Sequence, residues 1–265
     1  MPDQILTLTT DFGYQDYYVG ALKGVILGIA PDVRLVDISH AIPPQDIMAG
    51  AWVVQNATTL YPPGTVHLVV VDPGVGTKRK PVALKIDEHY FVGPDNGIFT
   101  LLTQAEDFEA VELTKPVFWH PGNSNTFHGR DIFAPVAAHL CNGVAFNKLG
   151  EPVDQLQTYR WATPISDKDG IQGWVIHIDT FGNLITNLSA SIIEEVIGKE
   201  ELKIYVGNTI LTGIASTFGS VVADEPVAYI GSSGMLEIAI NKGNAREMLG
   251  IKKGAQISLV LQHDD

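Results

Sequence analysis

An apolar segment that ends in a carboxylate is the feature of this 265-residue chain that most restricts its fold. Residues 65–71 are almost entirely apolar, and the loop Asp72-Pro-Gly-Val-Gly76 follows directly. A buried strand therefore brings a charged group to its end. Residues 5–10 lead in the same way into Asp11, and Val36 precedes Asp37. Because open α/β sheets bind ligands at the carboxyl ends of their strands, this pattern predicts a ligand site at one sheet edge.

Apolar strand-like runs alternate with helical periodicity in the N-terminal part of the chain, which predicts an α/β domain. A hairpin is predicted at 81–92, followed by the turn Gly93-Pro-Asp-Asn-Gly97. Asp16 and Asp46 are the expected cap or first-turn residues of the first two helices. The expected strands are 5–10, 35–38 and 66–71, and the expected helices are 19–29, 47–58 and 130–140.

Turn-separated strands dominate the C-terminal part, with a short helix expected at 191–197. Several strands in so short a length predict a small antiparallel barrel. We therefore expect a Rossmann-like α/β domain over 1–155, a linker over 156–170 and a smaller antiparallel β-barrel domain over 171–265. The expected C-terminal strands are 174–178, 202–206, 227–230, 236–240 and 257–261.

The charge balance argues against nucleic acid as a partner. The chain has 30 acidic and 17 basic residues and a net charge of -13, which repels phosphate backbones. No apolar run reaches the roughly 18 residues of a membrane helix, so no membrane association is expected. The N-terminus lacks the pattern of a signal peptide and Cys141 is the single cysteine, so we expect a cytoplasmic protein.

Asp72, Arg79 and His128 are the candidate catalytic residues of the N-terminal part. Pro73 and the loop glycines allow Arg79 to fold back onto Asp72, but a salt bridge that only stabilises the loop is an equally physical interpretation. His128 taken alone is typical of a hydrogen-bonded structural histidine. No metal site is expected, because the histidines lack i, i+4 spacing and there is no cysteine cluster.

Two motifs of the C-terminal part combine glycine with polar side chains. They are Asp179-Thr-Phe-Gly-Asn183 and Gly231-Ser-Ser-Gly234. Each is also an ordinary turn between strands, since Asn, Gly and Ser satisfy turn backbones. In isolation neither motif identifies a ligand.

Taken in order, the motifs resemble the S-adenosyl-L-methionine hydroxide adenosyltransferase family, the hydrolytic relatives of fluorinase and chlorinase. The resemblance extends over nearly the whole chain, and the motifs are specific as a set although each is weak alone. They are Thr10-Asp-Phe-Gly13, Val71-Asp-Pro-Gly-Val-Gly76, Pro94-Asp-Asn-Gly97, Thr126-Phe-His-Gly-Arg-Asp131, Asp179-Thr-Phe-Gly-Asn183 and Gly231-Ser-Ser-Gly-Met-Leu-Glu237.

The resemblance implies hydrolysis of S-adenosyl-L-methionine to adenosine and L-methionine by water that attacks ribose C5′. It assigns positioning of that water to Asp72, Arg79 and His128. It also implies an α/β domain joined to a β-barrel, and a homotrimer with the ligand between neighbouring subunits. The small-molecule substrate is then S-adenosyl-L-methionine itself, and no cofactor is expected.

The resemblance also implies substrate-binding residues. Asp11 matches the acceptor of the ribose hydroxyls, and Asn183 and Phe218 match residues around adenine. Halogenating relatives lack the acid and the imidazole at the positions of Asp72 and His128, which favours water over halide as the nucleophile. A non-catalytic protein that binds or senses an adenosyl ligand, and a halogenase, are the alternatives. The positions expected at the methionine end are Asp179 and Ser232, with Ser233, Glu237 and Asn241 as weaker candidates.

Overall fold

The computed structural model describes residues 4–122, 124–196 and 202–261. The chain divides into two compact units between Tyr159 and Arg160, and each unit contains one large β-sheet. This mixed α/β architecture agrees with the sequence-based expectation, while the linker bounds 156 and 170 stay predictions. Within the described residues, no helix has both the length and the apolar character needed to cross a lipid bilayer.

The N-terminal sheet has seven strands in the order β2-β1-β3-β5-β4-β6-β7. The first four in this order are mutually parallel, whereas β4, β6 and β7 are antiparallel to their neighbours. The strands are β1 (Ile5–Thr10), β2 (Arg34–Ser39), β3 (Val66–Val70), β4 (Pro81–Ile86), β5 (His89–Pro94), β6 (Phe108–Glu112) and β7 (Glu151–Pro152). The α-helices are α1 (Tyr18–Ile29), α2 (Ile47–Thr58), α3 (Thr100–Ala105) and α4 (Ala134–Cys141).

Both faces of β3 are buried, which explains why its sequence is apolar throughout. Leu68 and Val70 pack into one core with residues of α1 and α4. Val69 and Val71 pack into a second core with residues of α2. A strand covered on both faces has no polar face to alternate with. The charge of the next residue, Asp72, is therefore excluded from the sheet and lies at its carboxyl edge.

The C-terminal sheet is antiparallel, in the order β12-β11-β15-β9-β10-β14-β13, with β8 beside β9. An isolated bridge joins Ala215, which follows β12, to Tyr229 of β13, so the two edges approach each other and the sheet is nearly closed. Its strands are β8 (Ile165–Asp167), β9 (Gly170–Ile178), β10 (Leu184–Ser189), β11 (Leu202–Val206), β12 (Thr209–Thr212), β13 (Pro226–Ile230), β14 (Met235–Ile240) and β15 (Gln256–Leu261), and its helices are α5 (Ala190–Val196) and α6 (Ala245–Met248).

Several local predictions need correction. Asp16 does not cap α1, whose N-cap is Tyr17 without a side-chain hydrogen bond, whereas Asp46 caps α2 by accepting from the backbone N–H of Ala49 at 2.9 Å. Strands β10 and β12 were not predicted, because polar residues interrupt the apolar alternation of these short segments. The predicted helix at 191–197 begins at Ala190, and its last residue, Ile197, lies outside the described residues.

Candidate active site

The carboxyl ends of β1 and β3 place two carboxylates at one edge of the N-terminal sheet. These strands are parallel neighbours, with Thr10 beside Val70 at their last paired position. Asp11 follows β1, and Asp72 follows β3 after one intervening residue. Burial raises the pKa of Asp11 above its ordinary value, and the charge of Asp72 adds to this, while the Gln45 N–H that Asp11 accepts at 2.8 Å opposes it. The charge of Asp72 therefore acts on Asp11 across this edge of the sheet.

The guanidinium of Arg79 connects Asp72 to His128. Arg79 Nε donates to Oδ1 and Oδ2 of Asp72 at 3.0 and 3.1 Å, and Nη2 also donates to Oδ2. The same Nη2 lies 2.8 Å from Nδ1 of His128. The Asp72 and Arg79 side chains are only 5% and 8% exposed. The three residues singled out in the sequence thus form one hydrogen-bond network, in which Asp72 and Arg79 are nearly buried and His128 is partly exposed.

Glycine allows the loop between Asp72 and Arg79 to fold back on itself. The N–H of Thr77 donates to the carbonyl of Gly74 at 3.1 Å, which closes a turn. Gly76 has a φ of 76°, in the left-handed region that favours glycine. A Cβ at this position would lie 2.4 Å from a backbone carbonyl oxygen of the neighbouring segment. A larger residue at 76 would therefore displace the return of Arg79 toward Asp72.

The hydrogen bond from Arg79 determines the tautomer of His128. A guanidinium only donates, so Nδ1 of His128 accepts and the remaining ring proton lies on Nε2. Burial lowers the pKa of His128 below 6.5, and the positive charge of Arg79 lowers it further. The negative charges of Asp72 and Asp131 oppose this decrease without cancelling it. His128 is therefore a neutral imidazole that donates from Nε2.

A short π-helical segment, Gly129–Phe133, follows His128 and leads into α4. Pro135 in the first turn of α4 has no N–H to donate to an i−4 carbonyl, and the Ala134 N–H bonds back to Gly129 five residues earlier. Asp131 is fully buried and accepts from the N–H of Ser124 at 2.7 Å. These contacts hold the segment that carries His128 against the sheet.

A cavity of about 620 Å³ opens at this edge of the N-terminal sheet, a size typical of small-molecule sites. Three aromatic rings, of Phe12, Tyr18 and Phe127, pack against one another with centroids 5.3 to 5.9 Å apart. Asp11, Asp72 and His128 also line the cavity. Most of the other residues that line the cavity were not predicted from the sequence, although the aromatic residues just after Asp11 could have indicated a binding site. They include Phe12, Tyr17, Tyr18, Gln45, Phe127 and Arg130.

In the C-terminal unit, Asp179 organises a turn. Its Oδ1 accepts from the N–H groups of Phe181 and Asn183 at 2.9 and 2.8 Å, and its Oδ2 accepts from the Asn183 side chain at 2.8 Å. Gly182 has a φ of 86°. The backbone of this motif therefore forms a turn between strands, as one of the two interpretations expected. The two predicted residues, Asp179 and Asn183, are in direct contact.

Glu237 and Tyr229 form a second polar pair in the C-terminal unit. The Tyr229 hydroxyl donates to Glu237 Oε2 at 2.7 Å. Burial raises the pKa of Glu237, and the charge of Asp179 raises it further. The Phe218 ring lies 6.2 Å from that of Tyr229, centroid to centroid. Glu237, Phe218 and Asp179 are therefore neighbours around Tyr229, a residue that sequence reasoning did not single out.

Three further predicted residues differ in their surroundings. Ser232 is exposed, whereas the Ser233 hydroxyl oxygen is buried and has no hydrogen-bond partner in the described part of the chain. The Asn241 side-chain amide donates to the carbonyl of Val221 at 2.7 Å. Ser233 and Asn241 thus differ, because the Asn241 side chain has a backbone partner and the Ser233 hydroxyl has none among the described residues.

No group of three or more His, Cys, Asp or Glu side chains is arranged to hold a metal ion within residues 4–122, 124–196 and 202–261. The absence of a cofactor remains a prediction. What the N-terminal arrangement supplies chemically is a carboxylate held by a guanidinium, a neutral imidazole donor and a second carboxylate, all at one cavity.

Nearly the full chain matches known proteins. Residues 6–150 and 173–258 match the family models for the N-terminal and C-terminal domains of SAM hydroxide adenosyltransferase. A protein of Thermus thermophilus named (R)-S-adenosyl-L-methionine hydrolase is 40% identical, with 95% of this chain and 97% of that protein covered. A fluorinase of Nocardia brasiliensis is 27% identical, with 96% of each covered. The crystal structure of an uncharacterized conserved protein from Thermotoga maritima is 35% identical and superposes with a TM-score of 0.88, covering 97% of this chain and 100% of that one.

Proposed function

We propose, because this chain belongs to the SAM hydroxide adenosyltransferase family, that it hydrolyses S-adenosyl-L-methionine to adenosine and L-methionine. Relatives named (R)-S-adenosyl-L-methionine hydrolase are 35% to 40% identical over nearly the full length. The observation that carries the proposal is the Asp72–Arg79–His128 network at a cavity that Asp11 also lines.

The reaction needs a nucleophile more than it needs an acid. The oxygen of water forms a bond to ribose C5′ while the C5′–S bond breaks, and sulfur takes the electron pair as a neutral thioether. Such a leaving group requires no protonation. The water must lose one proton overall, and free water at neutral pH contains almost no hydroxide. The protein must therefore hold water in line with C5′ and accept its proton.

The network divides these tasks among three side chains. We assign acceptance of the proton to Asp72, because its carboxylate lines the cavity and is joined through Arg79 to His128, whereas Asp11 is assigned to the ribose. Nδ1 of His128 is occupied by Arg79, so His128 donates from Nε2 to the oxygen of the nucleophile rather than acting as a base. Arg79 holds the carboxylate through two donor atoms, which restricts its orientation. A neutral imidazole and a fixed carboxylate suit a cationic sulfonium substrate.

The remaining assignments extend the same proposal. Asp11 accepts the ribose hydroxyls, Asn183 and Phe218 bind adenine, and the methionine end contacts Asp179, Ser232, Ser233, Glu237 and Asn241. The buried hydroxyl of Ser233, which has no hydrogen-bond partner among the described residues, supports its inclusion. We also propose a homotrimer with sites at subunit interfaces, a Rossmann-like N-terminal domain, a cytoplasmic location and no cofactor. Family resemblance supports the trimer, the four parallel strands support the Rossmann-like domain, and the single Cys141 supports the location.

Hydrolysis in ¹⁸O-labelled water is expected to give equal amounts of adenosine and methionine, with the label in the adenosine 5′-hydroxyl. Attack at C5′ puts the oxygen of water on that carbon, and mass spectrometry of both products measures it. Binding without any product would favour the adenosyl-sensing alternative. A 5′-halo product that depends on added halide would favour the halogenase. Label in another product would place the attack at a different carbon.

The names of the relatives specify the (R) configuration at the sulfur of S-adenosyl-L-methionine. We expect the (R)-sulfonium epimer to be consumed faster than the (S)-epimer, because in-line attack needs a fixed position of the leaving group. The two epimers, separated by chromatography and supplied singly, give this comparison directly. Equal rates with both would contradict the preference and leave the hydrolysis itself intact.

The rate is expected to stay constant as pH falls to 6.5 and to decrease only below it. The pKa of His128 is lowered, so its imidazole is neutral above that pKa and becomes a cation as pH falls through it. The cation carries a proton on Nδ1 and loses the hydrogen bond from Arg79. A pH profile of kcat, together with NMR titration of the His128 ring, measures both events. Titration of His128 above 6.5 would contradict the proposed tautomer.

A further inference from the structure

The turn Pro94-Asp-Asn-Gly97, at the end of β5, is a motif that the proposed chemistry leaves without a role. It lies beside the point where the chain leaves the sheet toward Asp72. The ladder of β3 with β5 ends at Leu68, and its ladder with β1 ends at Val70. The carbonyl of the next residue, fully buried Val71, is therefore beyond the last paired position. A buried carbonyl requires a hydrogen-bond partner from elsewhere.

Asn96 supplies that partner. Its Nδ2 donates to the Val71 carbonyl at 2.8 Å, and its Oδ1 accepts from the N–H of Ile98 at 3.2 Å. Both ends of the amide are thus used, which settles its orientation. The side chain is buried, with 9% of the residue exposed. Asn96 therefore links the turn to the backbone immediately before Asp72.

The same turn also contacts the backbone immediately after Arg79. The N–H of Asp95 donates to the carbonyl of Lys80 at 2.9 Å. Pro94 lies opposite Pro81 in the antiparallel pair of β5 and β4. One short turn thus holds both ends of the loop that runs from Asp72 to Arg79. The distance between these two ends determines whether the carboxylate and the guanidinium meet.

The turn itself is held rigidly. Gly97 has a φ of 91°, and a Cβ there would lie 2.2 Å from the ring of Tyr159. The Thr100 hydroxyl donates to the Gly97 carbonyl at 2.7 Å, and Asp95 Oδ1 accepts from the N–H of Gln157 at 2.7 Å. The residues around Asn96 are therefore fixed by contacts on both sides. The turn can therefore hold the backbone carbonyls that it contacts in fixed positions.

We infer that Asn96 is a positioning residue for the reaction, acting through the Val71 carbonyl to set the Asp72–Arg79 pair. The inference rests on the proposed function for its kinetic consequence. Without the hydrogen bond, the end of β3 is free to shift, and Asp72 moves relative to the substrate. A displacement of about 1 Å costs on the order of 100-fold in rate when reacting groups must be aligned.

Asn96→Ala and Asn96→Asp test the inference, with Asn187→Ala as the matched control. Asp at 96 keeps the acceptor for Ile98 but removes the donor to Val71. Asn187 is another buried amide, 5% exposed, which donates to the Trp161 carbonyl and accepts from the Trp174 N–H, each at 2.8 Å. Both Asn96 variants are expected to lose about 10-fold to 100-fold in kcat with KM nearly unchanged. Asn187→Ala is expected to lose stability while keeping the kcat of its folded fraction.

Crystal structures of the wild type and of Asn96→Ala provide a reading that does not depend on activity. The Asp72 carboxylate is expected to move relative to Arg79 in the variant. Wild-type kcat in both Asn96 variants, or an unmoved carboxylate, would overturn the positioning role. Absence of adenosine release by the wild type, together with a moved carboxylate in the variant, would overturn the proposed function and leave the positioning role standing.

Discussion

Asp72→Asn is expected to lower kcat by about 100-fold to 10,000-fold, the range that a positioned proton acceptor contributes. Asparagine keeps the shape of the side chain but has no carboxylate to take the proton of the attacking water. Binding of S-adenosyl-L-methionine should survive, because Asp72 acts on water rather than on the adenosine. Single-turnover release of adenosine and calorimetric binding measure the two effects separately. Loss of binding with unchanged kcat would contradict the assignment.

The same substitution also tests the structural role of the ion pair. The side chains of Asp72 and Arg79 are both nearly buried, and breaking a buried pair costs about 3–5 kcal/mol, because the guanidinium is left without an opposite charge. Adding Arg79→Met removes that charge, so the double variant should recover stability in denaturant unfolding and recover no turnover. Asp167→Asn, which removes an exposed carboxylate at the end of β8 and keeps an acceptor for its backbone partners, is the control for net charge. Recovery of turnover in the double variant would mean that the Asp72–Arg79 pair is only a salt bridge that stabilises the loop.

Asp11→Asn is expected to lower kcat/KM by about 10-fold to 150-fold, mostly through KM. A hydrogen bond to a charged group contributes about 1.5–3 kcal/mol, and the amide offers a weaker acceptor to the ribose hydroxyls. Asparagine can still accept from the Gln45 N–H, so the loop should keep its conformation. Steady-state kinetics on the variant gives the split between KM and kcat.

The ligand itself supplies the control for Asp11. Adenosine and 2′,3′-dideoxyadenosine differ only in the two hydroxyls that Asp11 is proposed to hold. Calorimetry should show that the variant binds adenosine less tightly than the wild type does, while the two proteins bind the dideoxy compound equally. An equal loss with both ligands would mean that Asp11 acts on the loop rather than on the ribose.

The sequence predicted the elements that repeat a strong pattern. The apolar run of β3 and the periodic faces of α1 and α2 were recognised because buried faces impose a regular spacing. Strands β10 and β12 escaped recognition, since two consecutive polar residues interrupt the apolar pattern of β10 and β12 has only four residues. Asp16 was a reasonable cap by composition, but the chain bends at that point and Tyr17 occupies the cap position.

Some contacts of the candidate site could also be predicted from the sequence, and others could not. Asp72 and Arg79 are seven residues apart, so a glycine-rich loop between them made their contact foreseeable. His128 is 49 residues from Arg79, and only family resemblance suggested that they belong together. The tautomer of His128 and the link from Asn96 to Val71 were not foreseeable, since each depends on which polar atoms remain unpaired once the sheet has formed.

An apolar run followed by Asp72 was enough to predict that a charged group ends a buried strand, since the carboxylate has no place except the carboxyl edge of a sheet. The contacts that the carboxylate makes there were visible only once the chain had folded. Arg79, in the loop before β4, donates to Asp72 itself, and Asn96, in the turn after β5, donates to the carbonyl of Val71 just before it. Such hydrogen bonds are directional and act over about 3 Å. The loop made the contact of Arg79 with Asp72 foreseeable, whereas the contacts of His128 and Asn96 join segments distant in the chain and follow only from the packing of the strands.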